Sequence, residues 1–194
     1  IPADYIEQLK EAASDPELET AREEAIASDN PDLVKDWMIQ KGVYDEYEKV
    51  LSILEDFRNN MGMTYVYVLN NQASYSTYLA DPDEDMTIFG KREDNTAGFE
   101  QYTSNEEIPP TVSEGEYGWL CSGYEPIYSE DGEAIALIGV DISMNEVVGQ
   151  QMDFLKQMLT WLIILTLIIV ILVICYFRYT LTKPLQKLAG SAQT

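Results

Sequence analysis

Carboxylates and phenols are the chemistry this chain has in quantity. Its 194 residues include 34 Asp and Glu, 13 Tyr and no His. Without histidine there is no Ser-His-Asp or Cys-His nucleophile system, no His-containing zinc site and no histidine pH switch. Acid-base work by paired carboxylates, as in glycosidases, survives that cut. The run Asp81-Pro-Asp83-Glu-Asp85 alternates acids like the start of a calcium loop. It departs from an EF-hand, because Met86 holds the glycine place and Arg92 the place of the bidentate glutamate. A solvated acidic loop is the expectation there, with no metal ligand, cofactor or catalytic residue assigned. The net charge of -22 argues against a nucleic-acid partner, which it would repel.

The charge is partitioned. All 34 acids lie at or before Asp153, with nine of the 12 bases up to Lys156, so this part stands at -25. After Lys156 there are no acids, and the bases are Arg178, Lys183 and Lys187. Between them, residues 157–177 read QMLTWLIILTLIIVILVICYF without a charge. At about 1.5 Å per residue a helix of that length spans roughly 30 Å, the thickness of a bilayer's hydrocarbon. Trp161, Tyr176 and Tyr179 suit the interfacial belts, and the basic C-terminal flank places that end in the cytoplasm by the positive-inside rule. The residues before the helix are then expected outside the membrane. Ile1-Pro2-Ala3 is neither an initiator methionine nor a signal peptide, so a longer protein with a preceding membrane helix is expected. Cys121 and Cys175 fall on opposite sides of this division and are not expected to pair; both read as small hydrophobes.

Elements follow from periodicity. Residues 4–28 carry Ile6, Leu9, Ala13, Leu18, Ala21, Ala25 and Ile26 at helical spacing, with a break and restart at Asp15-Pro16, Asp15 as cap. From Asp32 to about Asn59–Gly62 the spacing predicts an amphipathic helix loosened near Gly42. Met63–Leu69 reads as a strand and Ser74–Leu79 as its hairpin partner. Residues 80–116 are polar and long for a passive connection, and so are a candidate binding loop or lid. Gly118–Tyr128 is a strand with an edge-type proline, residues 129–132 a turn, and Glu133–Ile142 a strong strand. Ser143-Met-Asn-Glu146 matches a capping box opening a helix that continues into the membrane segment.

The succession of helices, LEDFRNNMGMTYVYVLNN, then GWLCSGYEPIYSEDGEAIALIGVDISMNEV running into a transmembrane helix, resembles the extracytoplasmic Cache sensor domains of bacterial receptors. The likeness covers about residues 30–153 and is closest at 124–147. TLTKPLQKLAGSA resembles the opening of a HAMP linker, with Pro184, Leu185 and Leu188 at matching places. The resemblance implies an α+β fold of single-Cache type, a PAS-like antiparallel sheet packed on a long N-terminal helix, followed by one transmembrane helix. It implies a sensor domain at 1–153, a membrane helix at 154–178 and a HAMP-like start at 179–194. It also implies a homodimer, formed through the N-terminal and membrane helices in a bacterial cell membrane. The output it serves would be chemotactic, kinase, cyclic-dinucleotide or phosphatase.

In amino-acid-binding members an aspartate of the last strands holds the ligand's amino group, and Asp141 resembles it. A carboxylate on a sheet beside aromatic rings suits an ammonium by charge and cation-π attraction; the alternative is that Asp141 caps the adjoining turn and helix. The Arg-x-Trp-Tyr element that holds a ligand carboxylate is missing, since Arg92 precedes Glu93-Asp94 and Trp119 follows Gly118. That departure counts against an α-amino acid. Further pocket candidates are Tyr67, Tyr78, Arg92, Trp119, Tyr124 and Tyr128, each with a core or surface role as its alternative. A small-ligand sensor is thus the leading expectation; a membrane-anchored carboxylate hydrolase and a partner-binding ectodomain are the others.

Overall fold

The computed structural model describes residues 1–72, 74–95, 108–115 and 117–182. It falls into two compact units, Ile1–Met144 and Asn145–Thr194. The first is mixed α/β. Four helices come first, α1 (Ala3–Ala12), α2 (Pro16–Ser28), α3 (Asp32–Lys41) and α4 (Tyr44–Met61). They take the place of the expected long N-terminal helix, and the interruptions have local causes. Asp15 Oδ1 accepts from the Glu17 amide at 2.9 Å, with Pro16 in the first turn of α2, as the spacing predicts. Asp29 closes α2 in the left-handed region at φ 52°, and Pro31 precedes α3. Gly42, at φ 75°, ends α3 where the sequence predicts only a loosening.

The sheet has six antiparallel strands in the order β3-β2-β1-β6-β5-β4. They are β1 (Tyr65–Asn71), β2 (Tyr75–Ala80), β3 (Arg92–Asp94), β4 (Ile108–Gly115), β5 (Gly118–Tyr128) and β6 (Ala134–Ser143). The first and last strands are central neighbours, so residues more than sixty positions apart in the chain share rungs. The Ser129–Gly132 turn closes β5 onto β6, with Gly132 at φ 82° and its amide on the Ser129 carbonyl at 3.0 Å.

Two strands were hidden in the stretch 80–116, which the sequence presents as a polar connection. β3 and β4 are the two edges of the sheet, and described residues 109–115 of β4 are exposed. Alternation comes from burying one face, and β4 buries neither over these residues, so period-2 patterning has nothing to report. Pro109 and Pro110 sit on such an edge, at a register irregularity between Ile108 and Thr111, where a missing N–H costs no ladder bond. The middle of the expected loop, 96–107, lies outside the described residues. Pro126, read as marking an edge strand, lies instead in β5, between β4 and β6. It is tolerated because the described part of β4 reaches only Tyr124.

The pleat divides the faces. Val66 and Val68 of β1, Leu79 of β2 and Ala136 of β6 pack with Ile6 and Leu9 of α1, Tyr47, Val50 and Leu54 of α4, and Phe89. Tyr47 meets the Phe89 ring edge-on at 5.6 Å. β1 is buried along its middle five residues, so its other face is covered too, and that face carries the site.

The second unit is dominated by α5, which runs Met144–Phe177 over 34 residues and is long and apolar enough to cross a membrane. Its hydroxyls are satisfied within the helix: Thr160 donates to the Lys156 carbonyl and Thr166 to that of Leu162, both at 2.8 Å. A π-helical turn, Arg178–Thr182, follows. The HAMP-like residues from 183 onward lie outside the described residues.

Candidate functional site

The face of the sheet opposite the helices holds tyrosines because alternation in β1 sends Val66 and Val68 one way and Tyr65 and Tyr67 the other. Register completes the set. Tyr65 stands opposite Asp141, which stands opposite Ser122; two rungs on, Tyr67 stands opposite Gly139 and Gly139 opposite Tyr124. A cavity of about 260 Å³ opens here, walled by Tyr65, Tyr67, Tyr78 and Tyr117, with Asp81 and Asp141 at its acidic end. At roughly 30 Å³ per water this is room for a compact organic molecule. Tyr65 meets Tyr117 edge-on at 6.2 Å, and the Tyr67 and Tyr78 rings lie 5.9 Å apart.

Asp141 is only 5% exposed, and its Oδ1 has no hydrogen-bond partner. Burial pushes its carboxyl above the usual range, while hydrogen bonds from Ser122 and Tyr67 pull it back. Asp81, 7% exposed, is pushed up to about 7. Burial is the main cause, the charges of Glu84 and Asp141 add to it, and Arg58 opposes. Burial also drives the phenols of Tyr67 and Tyr78 well above their ordinary value, so both remain O–H donors. Among the described residues no Lys or Arg lines this cavity. The site therefore offers net negative charge and ring faces, and the cations beside it, Arg58 and Lys91, are paired with Asp83 and Glu93.

Asp141, Tyr67 and Tyr78 of the sequence-derived set meet at this cavity. Tyr124 lines an adjoining one with Tyr67 and Tyr78, its Oη 3.4 Å from that of Tyr67. Trp119, Arg92 and Tyr128 line neither. Trp119 pairs with Glu114 near the end of β5, Tyr128 is exposed at the strand's other end, and Arg92 lies over the Tyr75 ring at 5.1 Å. Arg92 sits on β3 opposite Thr77, one residue out of phase with Ser76 and Tyr78, and the pleat sends it to the other face.

Asp81 was legible only as part of an acidic loop. Its Oδ1 accepts from the Asp83 amide at 2.9 Å, Asp83 pairs with Arg58, and Asp85 caps the single 3-10 turn Met86–Ile88 through the Thr87 amide at 2.8 Å. Tyr65 was available from its spacing two residues before Tyr67. Tyr117 and Gly139 carried no local signal. Gly139 matters for space: a Cβ there would fall within the Tyr67 ring, which lies across β6. Gly139→Ala is expected to displace that ring, lower stability by about 1–3 kcal/mol and weaken ligand binding. Urea unfolding and calorimetric titration of the variant check both effects.

Thr64 ties the site to the start of α5. Its amide donates to the Asp141 carbonyl and its Oγ1 accepts from the Ser143 amide, both at 2.8 Å. Thr64 therefore takes the Ser143 amide that the capping box would give to Glu146.

Among known proteins, no family model matches this chain and no curated protein matches it. Fold and site together describe a mixed α/β unit with an acidic, tyrosine-walled cavity, continued by a helix of membrane-spanning length.

Proposed function

We propose that the chain is the sensing and membrane-spanning part of a bacterial receptor of the Cache type, and that its ligand is an organic ammonium lacking a carboxylate. In this reading residues 1–153 face outward as a PAS-like sensor domain, 154–178 cross the membrane, and 179–194 begin a HAMP-like linker. The observation that carries it is the buried Asp141 Oδ1, left without a partner in a cavity of tyrosine rings. A buried, uncompensated carboxylate is costly, and an ammonium supplies both the missing charge and a donor to the rings.

The sensor role is supported by chain order. Asp141 lies on β6 three residues before α5 begins, with its carbonyl held by Thr64. A ligand that favours one arrangement of β6 biases the backbone from which α5 starts. Homodimerisation and the cytoplasmic output rest on the family resemblance alone.

The test is a thermal-shift series on the chain in detergent micelles against alkylamines, quaternary ammonium ions, α-amino acids and carboxylates. A cation at a hundredfold excess over its Kd should stabilise by about 2.7 kcal/mol, and the carboxylates should do nothing. Stabilisation by carboxylates with none by amines would sink the reading.

A further inference from the structure

The geometry points to a linear polyamine, a triamine or longer, lying along β1 and β2 with one end at Asp81 and Asp141 and the other at Glu93. This rests on the ammonium-binding reading above and names its ligand class. A second cavity, of about 160 Å³, adjoins the first, and Tyr67 and Tyr78 belong to the walls of both. Its far side is formed by Ser76, Glu93, Asp94 and Asn95. Each end thus has a carboxylate, the middle is ring surface, and among the described residues neither lining includes Lys or Arg.

The spacing sets the length. Glu93 stands opposite Ser76, and Asp81 directly follows Ala80, the last residue of β2. Five residues of strand at about 3.3 Å each put the two acidic ends roughly 16 Å apart. Carboxylates reaching inward shorten that gap. A short diamine still does not bridge it, whereas a triamine does, with its methylenes over the tyrosine rings.

The chain itself shows that the far end holds an alkylammonium. Lys91 lines neither cavity, yet its Nζ lies 5.8 Å from the Tyr78 ring centroid and 2.6 Å from Glu93 Oε1. Glu93 Oε2 accepts from the Tyr78 hydroxyl at 3.2 Å. A ring face and a carboxylate therefore already grip one primary amine at this place.

Calorimetric titration of the chain in micelles, at 0.15 M salt, with n-butylamine, 1,4-diaminobutane and spermidine tests this. Spermidine is expected to bind at least tenfold tighter than either of the others. Glu93→Gln should erase that advantage. Glu93 is partly exposed, and its ion pair with Lys91 lies at the surface, so the variant keeps the fold. Equal affinities for spermidine and n-butylamine, or a spermidine advantage that survives Glu93→Gln, would overturn the polyamine assignment while the ammonium reading stands. Binding of none of the three amines would overturn both.

Discussion

Asp141→Asn is expected to weaken binding of an organic ammonium by thirtyfold or more, with Tm at pH 7 unchanged or higher. Removing one partner of a buried, hydrogen-bonded charge pair costs about 2–5 kcal/mol, which is roughly thirtyfold to a few thousandfold in Kd. The two effects have opposite signs for one reason. In the empty protein the carboxylate is buried, and one of its oxygens has no partner, so a neutral amide of the same shape relieves a desolvation cost. In the complex the same carboxylate is the counter-charge. Titration calorimetry and a thermal melt on one preparation read both. An unchanged Kd for an amine that binds the parent protein would remove Asp141 from the site. A sharply lowered Tm would assign it instead to capping the β6–α5 junction, the alternative role its position in the sequence allows.

A second large effect is expected with pH. Asp81 is raised from 3.8 to about 7, so below pH 7 it is protonated, and a cation must displace that proton to gain the full charge of the site. Affinity should fall as pH drops below 7, approaching tenfold per pH unit, and level off above it. The stability of the empty protein runs the other way. The folded carboxyl holds its proton more tightly than the unfolded one, so its contribution is complete below pH 3.8 and lost as pH rises through 7. Asp81→Asn should flatten both dependences. The groups facing Asp81 are Glu84 and Asp141, which raise its pKa, and Arg58, which lowers it; Arg58→Gln should therefore move the midpoint upward. An affinity constant between pH 5.5 and 8 would show that Asp81 takes no part.

These two carboxylates differ in how they could be recognised. Asp141 sits in a strand whose alternation and following turn are visible in GVDISMNEV, and the resemblance singled it out. Asp81 is one of four acids within five residues, and only burial separates it from Asp83 and Asp85. The latter two are spent on Arg58 and on capping a 3-10 turn. Tyr67 and Tyr78 could be listed from the sequence but not joined, because their meeting depends on the pairing register that sets Leu69, on the Tyr67 face of β1, opposite Tyr78. Arg92 shows the converse: one residue of phase on β3 places it on the opposite face from Tyr78.

The sequence by itself determined what short-range periodicity can carry. It separated an acidic segment from an uncharged run of membrane-spanning length, placed the break at Asp15-Pro16 and only a loosening near Gly42, and marked β1, β2, β5 and β6 to within two residues. Those features are legible because burial on one face imposes a period of 2 or 3.6 on neighbouring residues. The tertiary structure alone decided that the sheet's edges come from a polar stretch, that β1 lies beside β6, and that Gly139 leaves room for the Tyr67 ring. It also decided which acids face one cavity. A strand exposed on both faces, as β4 is, imposes no pattern, and a cavity assembled from β1, β2 and β6 depends on pairings between residues some seventy positions apart, which no local spacing records.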